Sequence, residues 1–288
     1  MAIKVLNPGA LTTVQDLGRK GLQQFGIPSC GVMDTRAFAA ANRLCGNEPG
    51  AAALEMTLFG GTYQFTEDGI FALTGADMEG TLDGAPVTRY APVFVKAGQV
   101  LQLGMAKAGC RCYLAWAGGI DVPLVMGSRS TDLKAGLGGY EGRKLQAGDV
   151  IPTGCFEGSF EALATLCEAP CVLTGRAVIR AVAGPQADCF TKAGLQTFFS
   201  KPYKLSGQCD RMGYRLEGPA IEIAEPAEGD GRTAKTTDLI SDGIVFGSVQ
   251  VPSSGLPIVL MADRQTTGGY AKIATVCSFD LPRLAQLK

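Results

Sequence analysis

The side chains able to do chemistry concentrate in a few short stretches of this 288-residue sequence, and the densest runs from Ala262 to Val276. There Arg264, Gln265, Thr266, Thr267, Tyr270 and Lys272 surround Gly268-Gly269. Cationic, amide and hydroxyl groups together suit the stabilisation of negative charge on an oxygen, because donors fixed in advance at that oxygen lower the barrier to charging it. Backbone without Cβ lets a ligand approach closely. The stretch reads as a strand, a tight turn and a second strand. Val259-Leu260-Met261 leads in, Ile273 to Val276 leads out, and Gly268-Gly269 supplies the positive φ of the turn. It is either a binding or catalytic loop or the solvated end of a hairpin.

Three further stretches carry polar clusters. In Gln208 to Gly218, strand alternation places Arg211, Gly213 and Arg215 on one face and Met212, Tyr214 and Leu216 on the other. Two arginines on one side suit a carboxylate or phosphate, and equally suit a brace for Asp210 or Glu217. Gln15, Asp16 and Arg19 either line a site or form an Asp–Arg brace for a loop. Ser128 and Arg129, followed by the glycine-rich run 136–143, form a loop able to hold an anion through backbone N–H groups and Arg. It lacks the GxxxxGK[ST] pattern of a phosphate loop. Gln186 follows a glycine turn, and Gln250 lies shortly before the 262–276 stretch.

The sequence contains no histidine. That removes Ser-His-Asp and Cys-His catalysis and the commonest metal ligand, so chemistry must use carboxylates, Lys, Tyr, Cys, backbone amides or groups from a partner. Cys167 and Cys171 could share a helical face, but without histidine or a CxxC pair they do not predict a metal site. The 10 cysteines are expected to be reduced thiols, many of them buried. With 26 Lys+Arg against 27 Asp+Glu there is no basic excess to hold nucleic acid or a membrane surface. No run reaches the ~20 apolar residues of a membrane span, and the apolar start at Met1 to Leu6 is too short for a signal peptide. The expected location is the cytoplasm.

These residues must be positioned by many short strands, since 39 Gly and 15 Pro break the chain into small segments. Asp34 is expected to cap a helix running to about Leu44, with Phe38, Ala41 and Leu44 or Cys45 inward and Gly46 ending it. A second helix is expected over 188–200, with Phe190, Leu195, Phe198 and Phe199 inward. Glu55, inside an apolar strand, is either exposed or paired with an arginine. The β pattern lapses over 157–170, which divides the chain into domains 1–160 and 171–288, and each half shows a strand, a glycine turn, a helix and a Gly-Gly polar loop. The charged stretch 225–237 has no apolar period and reads as a surface loop.

Taken in order, TTVQDLGR at 12–19, GIPSCGVMD at 26–34, LTGAD at 73–77, AGGID at 117–121, GSRST at 127–131, EGR at 141–143, GPQAD at 184–188, DRMGYRLEG at 210–218 and ADRQTTGGY at 262–270 resemble the allophanate hydrolase subunit 2 family. That family includes the C subunit of bacterial 5-oxoprolinase and half of the carboxyltransferase domain of urea amidolyase. The resemblance runs from about residue 5 to about residue 285 and implies a mainly β protein with a few short helices, built as two cyclophilin-like β-barrel domains. It implies partnership with the A and B subunits of such a complex, the B subunit being a sister protein of the allophanate hydrolase subunit 1 type. It also implies a small amide or lactam substrate, and ATP used by the complex, with no cofactor bound by this chain itself. In the alternative, carboxybiotin hands a carboxyl group to urea or a related amide. The chain shows no Met-Lys-Met biotinylation sequence, so a free-standing protein of the 5-oxoprolinase type, inactive alone, is the expected arrangement. A non-enzymatic docking module of the kinase-antagonist type is the remaining reading.

For the enzyme readings, Lys272, Arg211 and Gln265 are the candidate catalytic residues. Gln15, Asp16, Arg19, Ser128, Arg129, Gln186, Arg215, Gln250, Thr266, Thr267, Gly268, Gly269 and Tyr270 are the candidate substrate contacts. Lys272 is expected to act as a base if other cations lie beside it.

Overall fold

The computed structural model describes residues 2–156, 158, 160–170, 175–225 and 237–288. Among them the chain forms two compact units. Unit 1 comprises 1–20, 30–177 and 282–288; unit 2 comprises 21–29 and 178–281. Relative to a boundary at 160–171, two short stretches thus pack with the opposite half of the sequence. Nearly all of the surface loop expected over 225–237 lies outside the described residues, as does Cys171.

In chain order unit 1 holds β1 (Ala2–Asn7), β2 (Leu11–Gln15), α1 (Thr35–Leu44), β3 (Ala53–Thr57), β4 (Thr62–Phe65), β5 (Gly69–Asp77), β6 (Thr81–Leu82), β7 (Ala85–Pro86), β8 (Pro92–Val95), β9 (Val100–Gln102), β10 (Ala108–Trp116), β11 (Val150–Pro152) and α2 (Phe160–Ala164). They form a six-stranded sheet, β11-β1-β4-β9-β6-β7, and a five-stranded sheet, β2-β3-β10-β5-β8. The long central strands β5 and β10 are buried on both faces, and period-2 alternation divides their side chains. Phe71, Leu73, Leu114 and Trp116 point into the core between the sheets. Ile70, Ala72, Tyr113 and Ala115 point the other way, against α1. That helix presents Phe38, Ala41 and Leu44 at helical spacing. It starts where expected, because the Asp34 carboxylate accepts the Arg36 and Ala37 amides at 3.1 and 2.9 Å.

Glu55 is buried and paired. Its carboxylate accepts the Met33 amide at 2.9 Å and the Tyr113 hydroxyl at 2.8 Å, with Arg111 Nε 3.9 Å away. Beside this group the β5–β10 register shifts between Ala108 and Cys112, and Gln286 bonds the backbone of that bulge. Its Oε1 accepts the Cys110 and Arg111 amides at 2.9 and 3.0 Å, and its Nε2 donates to the Arg111 carbonyl at 2.9 Å and to Asp34 Oδ2 at 2.7 Å.

Five of the nine described cysteines are buried, and Cys155 and Cys167 are exposed. Burial pushes the Cys112 thiol up to about 12 and the Cys45 thiol higher still, so neither forms a reactive thiolate at neutral pH. Brief alkylation of the native protein at pH 7.5, read by peptide mass spectrometry, is expected to modify Cys155 and Cys167, and to modify Cys45 and Cys112 only after denaturation.

Unit 2 holds β12 (Ala181–Ala183), α3 (Lys192–Ser200), β13 (Lys204–Leu205), β14 (Gly213–Glu217), β15 (Asp238–Gly243), β16 (Ser248–Gln250), β17 (Ile258–Leu260), β18 (Thr267–Tyr270) and β19 (Lys272–Val276); α4 (Leu281–Ala285) follows. Six strands pair in the order β12-β19-β16-β17-β14-β13, and β15 and β18 form a separate two-stranded ribbon. The expected second helix begins later, at Lys192, because Thr191 Oγ1 caps it through the Gly194 amide at 2.9 Å. Phe199, expected inward, is 51 % exposed.

The expected hairpin over 262–276 is not what forms. β17 and β19 each pair with β16 and not with each other. Gly268 and Gly269 lie within β18, outside the positive-φ region, with Gly268 opposite Asp242 of β15. Nor do Arg211 and Arg215 share a face. Arg211 precedes β14 and is buried against Asp263, and Arg215 is exposed.

Candidate functional site

Unit 2 gathers its polar groups around Gly268. β16 and β19 are paired so that Gln250 stands opposite Lys272. The Gln250 side chain donates from Nε2 to the Tyr270 carbonyl at 3.3 Å. A Cβ at position 268 would stand 2.6 Å from Gln250 Nε2 and 3.3 Å from Gln265 Nε2, so two side-chain amides converge on this glycine. The glycine is required by close approach and not by a turn.

Lys272 is buried, at 6 % side-chain exposure, while its partner Asp242 is half exposed. The ammonium donates to Asp242 Oδ2 at 2.5 Å and to the Gly243 carbonyl at 2.7 Å. Its third N–H has no hydrogen-bond partner among the described residues. Gln186 closes the group, accepting the Lys272 amide at 3.1 Å and donating to Asp242 Oδ2 at 3.0 Å. Asp242 is held below the usual carboxylate range by the Lys272 hydrogen bond first, then by the Gly243 amide and Gln186. The neighbour of Lys272 is thus a carboxylate rather than the cations on which a role as base was premised. A lysine so placed is suited to donating a charged hydrogen bond.

The other expected members play varied parts. Arg211 forms a two-point pair with Asp263, Nε to Oδ2 and Nη2 to Oδ1 both at 2.8 Å, and this braces the turn entering Gln265. Thr266 lends its carbonyl to the Ile244 amide. Thr267 and Tyr270, at the two ends of β18, are both exposed. Asp263 lies within the ADRQTTGGY motif but was not a candidate, and no sequence signal marks Asp242. Asp242 is 30 residues from Lys272, and only the pairing of β15 with β18 brings them together.

The expected residues of unit 1 form a loop brace. The Asp16 carboxylate accepts the Ser128 and Ser130 hydroxyls at 2.6 Å each, the Arg129 amide at 2.6 Å and the Gly18 amide at 2.8 Å. Arg129 donates to Asp121 Oδ1 at 2.8 Å and to the Val122 carbonyl at 2.7 Å. Arg19 donates to the carbonyls of Val125 and Ser130, and Gln15 to Thr13 Oγ1 and the Thr131 carbonyl. Both are fully buried, and Gln15 Oε1 and Arg19 Nη1 lack hydrogen-bond partners. Asp16 thus ties the loop through Ser128, Ser130 and the Arg129 backbone amide, and not through the Asp–Arg pair that was expected as the alternative to a site.

The family described as carboxyltransferase domain, subdomain A and B, matches residues 25–288. The chain belongs to that family. It is 46 % identical over 288 residues to the C subunit of 5-oxoprolinase from Escherichia coli strain K12, covering 99 % of this chain and 87 % of that protein. It is 34 % identical to the urea amidolyase of Saccharomyces cerevisiae, covering all of this chain and 16 % of that much longer protein. Among solved structures, the urea carboxylase of Kluyveromyces lactis superposes with a TM-score of 0.88 at 32 % identity, over all of this chain and 26 % of that one.

Replacing Gly268 by alanine tests the convergence on β18. The added methyl meets only the movable end of the Gln250 side chain at under 3.0 Å. Gly268→Ala is therefore expected to leave the melting temperature nearly unchanged while displacing the Gln250 amide and lowering activity of the assembled enzyme. Differential scanning calorimetry and a turnover assay on the same preparation check both halves.

Proposed function

We propose that this chain is the C subunit of an ATP-dependent 5-oxoprolinase, opening 5-oxoproline to glutamate together with the A and B subunits. The observation that carries the reading is 46 % identity across 99 % of the chain to a protein of that name. Opening a lactam adds water to the ring carbonyl, breaks the C–N bond and delivers a proton to the nitrogen, and negative charge develops on the carbonyl oxygen on the way. The free N–H of Lys272 and the amides of Gln265 and Gln250 are the proposed donors to that oxygen. Arg211 acts through Asp263, fixing the turn that presents Gln265. Gln15, Asp16, Arg19, Ser128 and Arg129 shape their loop in unit 1 rather than serving as the principal substrate contacts. ATP is consumed by the complex, no residue of this chain is assigned to it, and the general base comes from one of the partners. The chain alone is inactive in this reading. Ile240 and Val245, 97 % and 55 % exposed at and just beyond the ribbon, supply apolar surface for a partner protein to cover.

A second reading, transfer of a carboxyl group from carboxybiotin to an amide, is favoured by the family match and by the urea amidolyase relatives. The same donors would serve it. Labelled bicarbonate separates the two. With ATP, both partners and 5-oxoproline, the proposal expects glutamate to form without label entering product; label in product only when a biotin carrier is added would favour carboxyl transfer.

A further inference from the structure

The geometry points to Asp242 as the positioning residue for Lys272, fixing through the Asp242–Gln186–Lys272 ring the direction in which the remaining ammonium N–H is presented. The inference rests on the proposed role of Lys272 and extends it to a residue that nothing in the sequence motifs marks.

Three connections close the ring. Lys272 donates from Nζ to Asp242 Oδ2, Gln186 donates from Nε2 to the same oxygen, and the Lys272 backbone amide donates to Gln186 Oε1. The second carboxylate oxygen accepts the Gly243 amide at 2.7 Å. Each participant comes from a separate part of unit 2: the turn after β12, the ribbon strand β15, and β19. Lysine has three freely rotating N–H donors on a flexible stem. Occupying two of them, with Asp242 Oδ2 and the Gly243 carbonyl, leaves one direction for the third. Because Asp242 also sits opposite Gly268 in the β15–β18 pairing, the same residue ties the ammonium to the glycine on which the Gln250 and Gln265 amides converge.

Two measurements test this. In the assembled enzyme, Asp242→Asn is expected to lower kcat with little change in KM, and Asp242→Glu to recover part of the loss. Residues in direct contact couple by roughly 2- to 100-fold in such comparisons. In a Lys272→Ala background, Asp242→Asn should cost nothing further, since a positioning residue has no function without the group it positions. Equal losses in both backgrounds would overturn the inference, as would full activity of Asp242→Asn. The second measurement needs no turnover. Acylation of Lys272 in the isolated chain by an N-hydroxysuccinimide ester, followed by mass spectrometry, should be several-fold faster in Asp242→Asn than in the parent. Unchanged labelling overturns the positioning role. Faster labelling in a chain whose complex does not turn over 5-oxoproline would instead retain that role and reject the proposed function.

Discussion

Lys272→Ala is expected to reduce kcat/KM of the assembled enzyme by roughly 100-fold or more, the usual consequence of removing one fixed donor to a developing oxyanion. The fold should survive. Lys272 is buried but its partner Asp242 is half exposed, so the carboxylate left behind can be hydrated, and an ion pair of this partly exposed kind contributes only about 1 kcal/mol or less. Lys272→Arg should recover little. The guanidinium is planar and larger than an ammonium and cannot reproduce three donors around one nitrogen. Steady-state kinetics with a thermal melt of each variant separate the effects. Near-normal turnover by Lys272→Ala would remove the lysine from the chemistry.

Gln286→Ala is expected to do the opposite, lowering stability severely through contacts made within unit 1. The change removes one hydrogen-bond partner each from two buried amides, a buried carbonyl and a buried carboxylate in unit 1, the carboxylate keeping the Arg36 and Ala37 amides. Leaving a buried polar group unsatisfied costs about 1–3 kcal/mol each, with neighbouring losses less than additive. A total of roughly 3–5 kcal/mol corresponds to a melting temperature about 10 °C lower. Glu at this position should fare no better, because its second oxygen would face the Asp34 carboxylate and the Arg111 carbonyl. The pH dependence has a definite sign. Burial raises the Asp34 carboxyl above its usual range, and the Ala37 amide, Gln286 and the Arg36 amide oppose that rise. A group whose folded-state value is raised loses stabilising contribution as pH climbs from the unfolded value through the folded one. Removing the Gln286 donor raises it further, so the deficit of Gln286→Ala should be larger at pH 8 than at pH 4. Chemical denaturation at the two pH values checks this.

What the amino-acid pattern revealed was whatever depends on neighbours in sequence. The first helix was legible because Asp34 caps it and Phe38, Ala41 and Leu44 recur at helical spacing. The many short strands followed from glycine, proline and period-2 runs. Contacts set by strand pairing were not legible. Glu55 finds Tyr113 and Arg111 only because β3 pairs with β10, and Gln286 serves a bulge that no local signal predicts. Gly268-Gly269 misled in an instructive way. A double glycine between apolar runs is the signature of a tight turn, yet here the missing Cβ makes room for the Gln250 and Gln265 amides beside an extended strand. The arginines of 210–218 misled for a related reason, since strand alternation cannot apply to Arg211, which lies before the strand begins. In the candidate site, Lys272, Gln186, Gln250 and Gln265 were legible as polar residues near glycines, and Asp242, the carboxylate that joins Lys272 to Gln186, was not.

The most direct test of the proposed function is an add-back experiment. The two partner proteins, the A and B subunits, are mixed with ATP and 5-oxoproline, glutamate is measured, and this chain is titrated in. The expected result is no glutamate without the chain and a linear rise that saturates at a fixed ratio of chain to partners. Glutamate formed at the full rate before any of this chain is added would contradict the proposal.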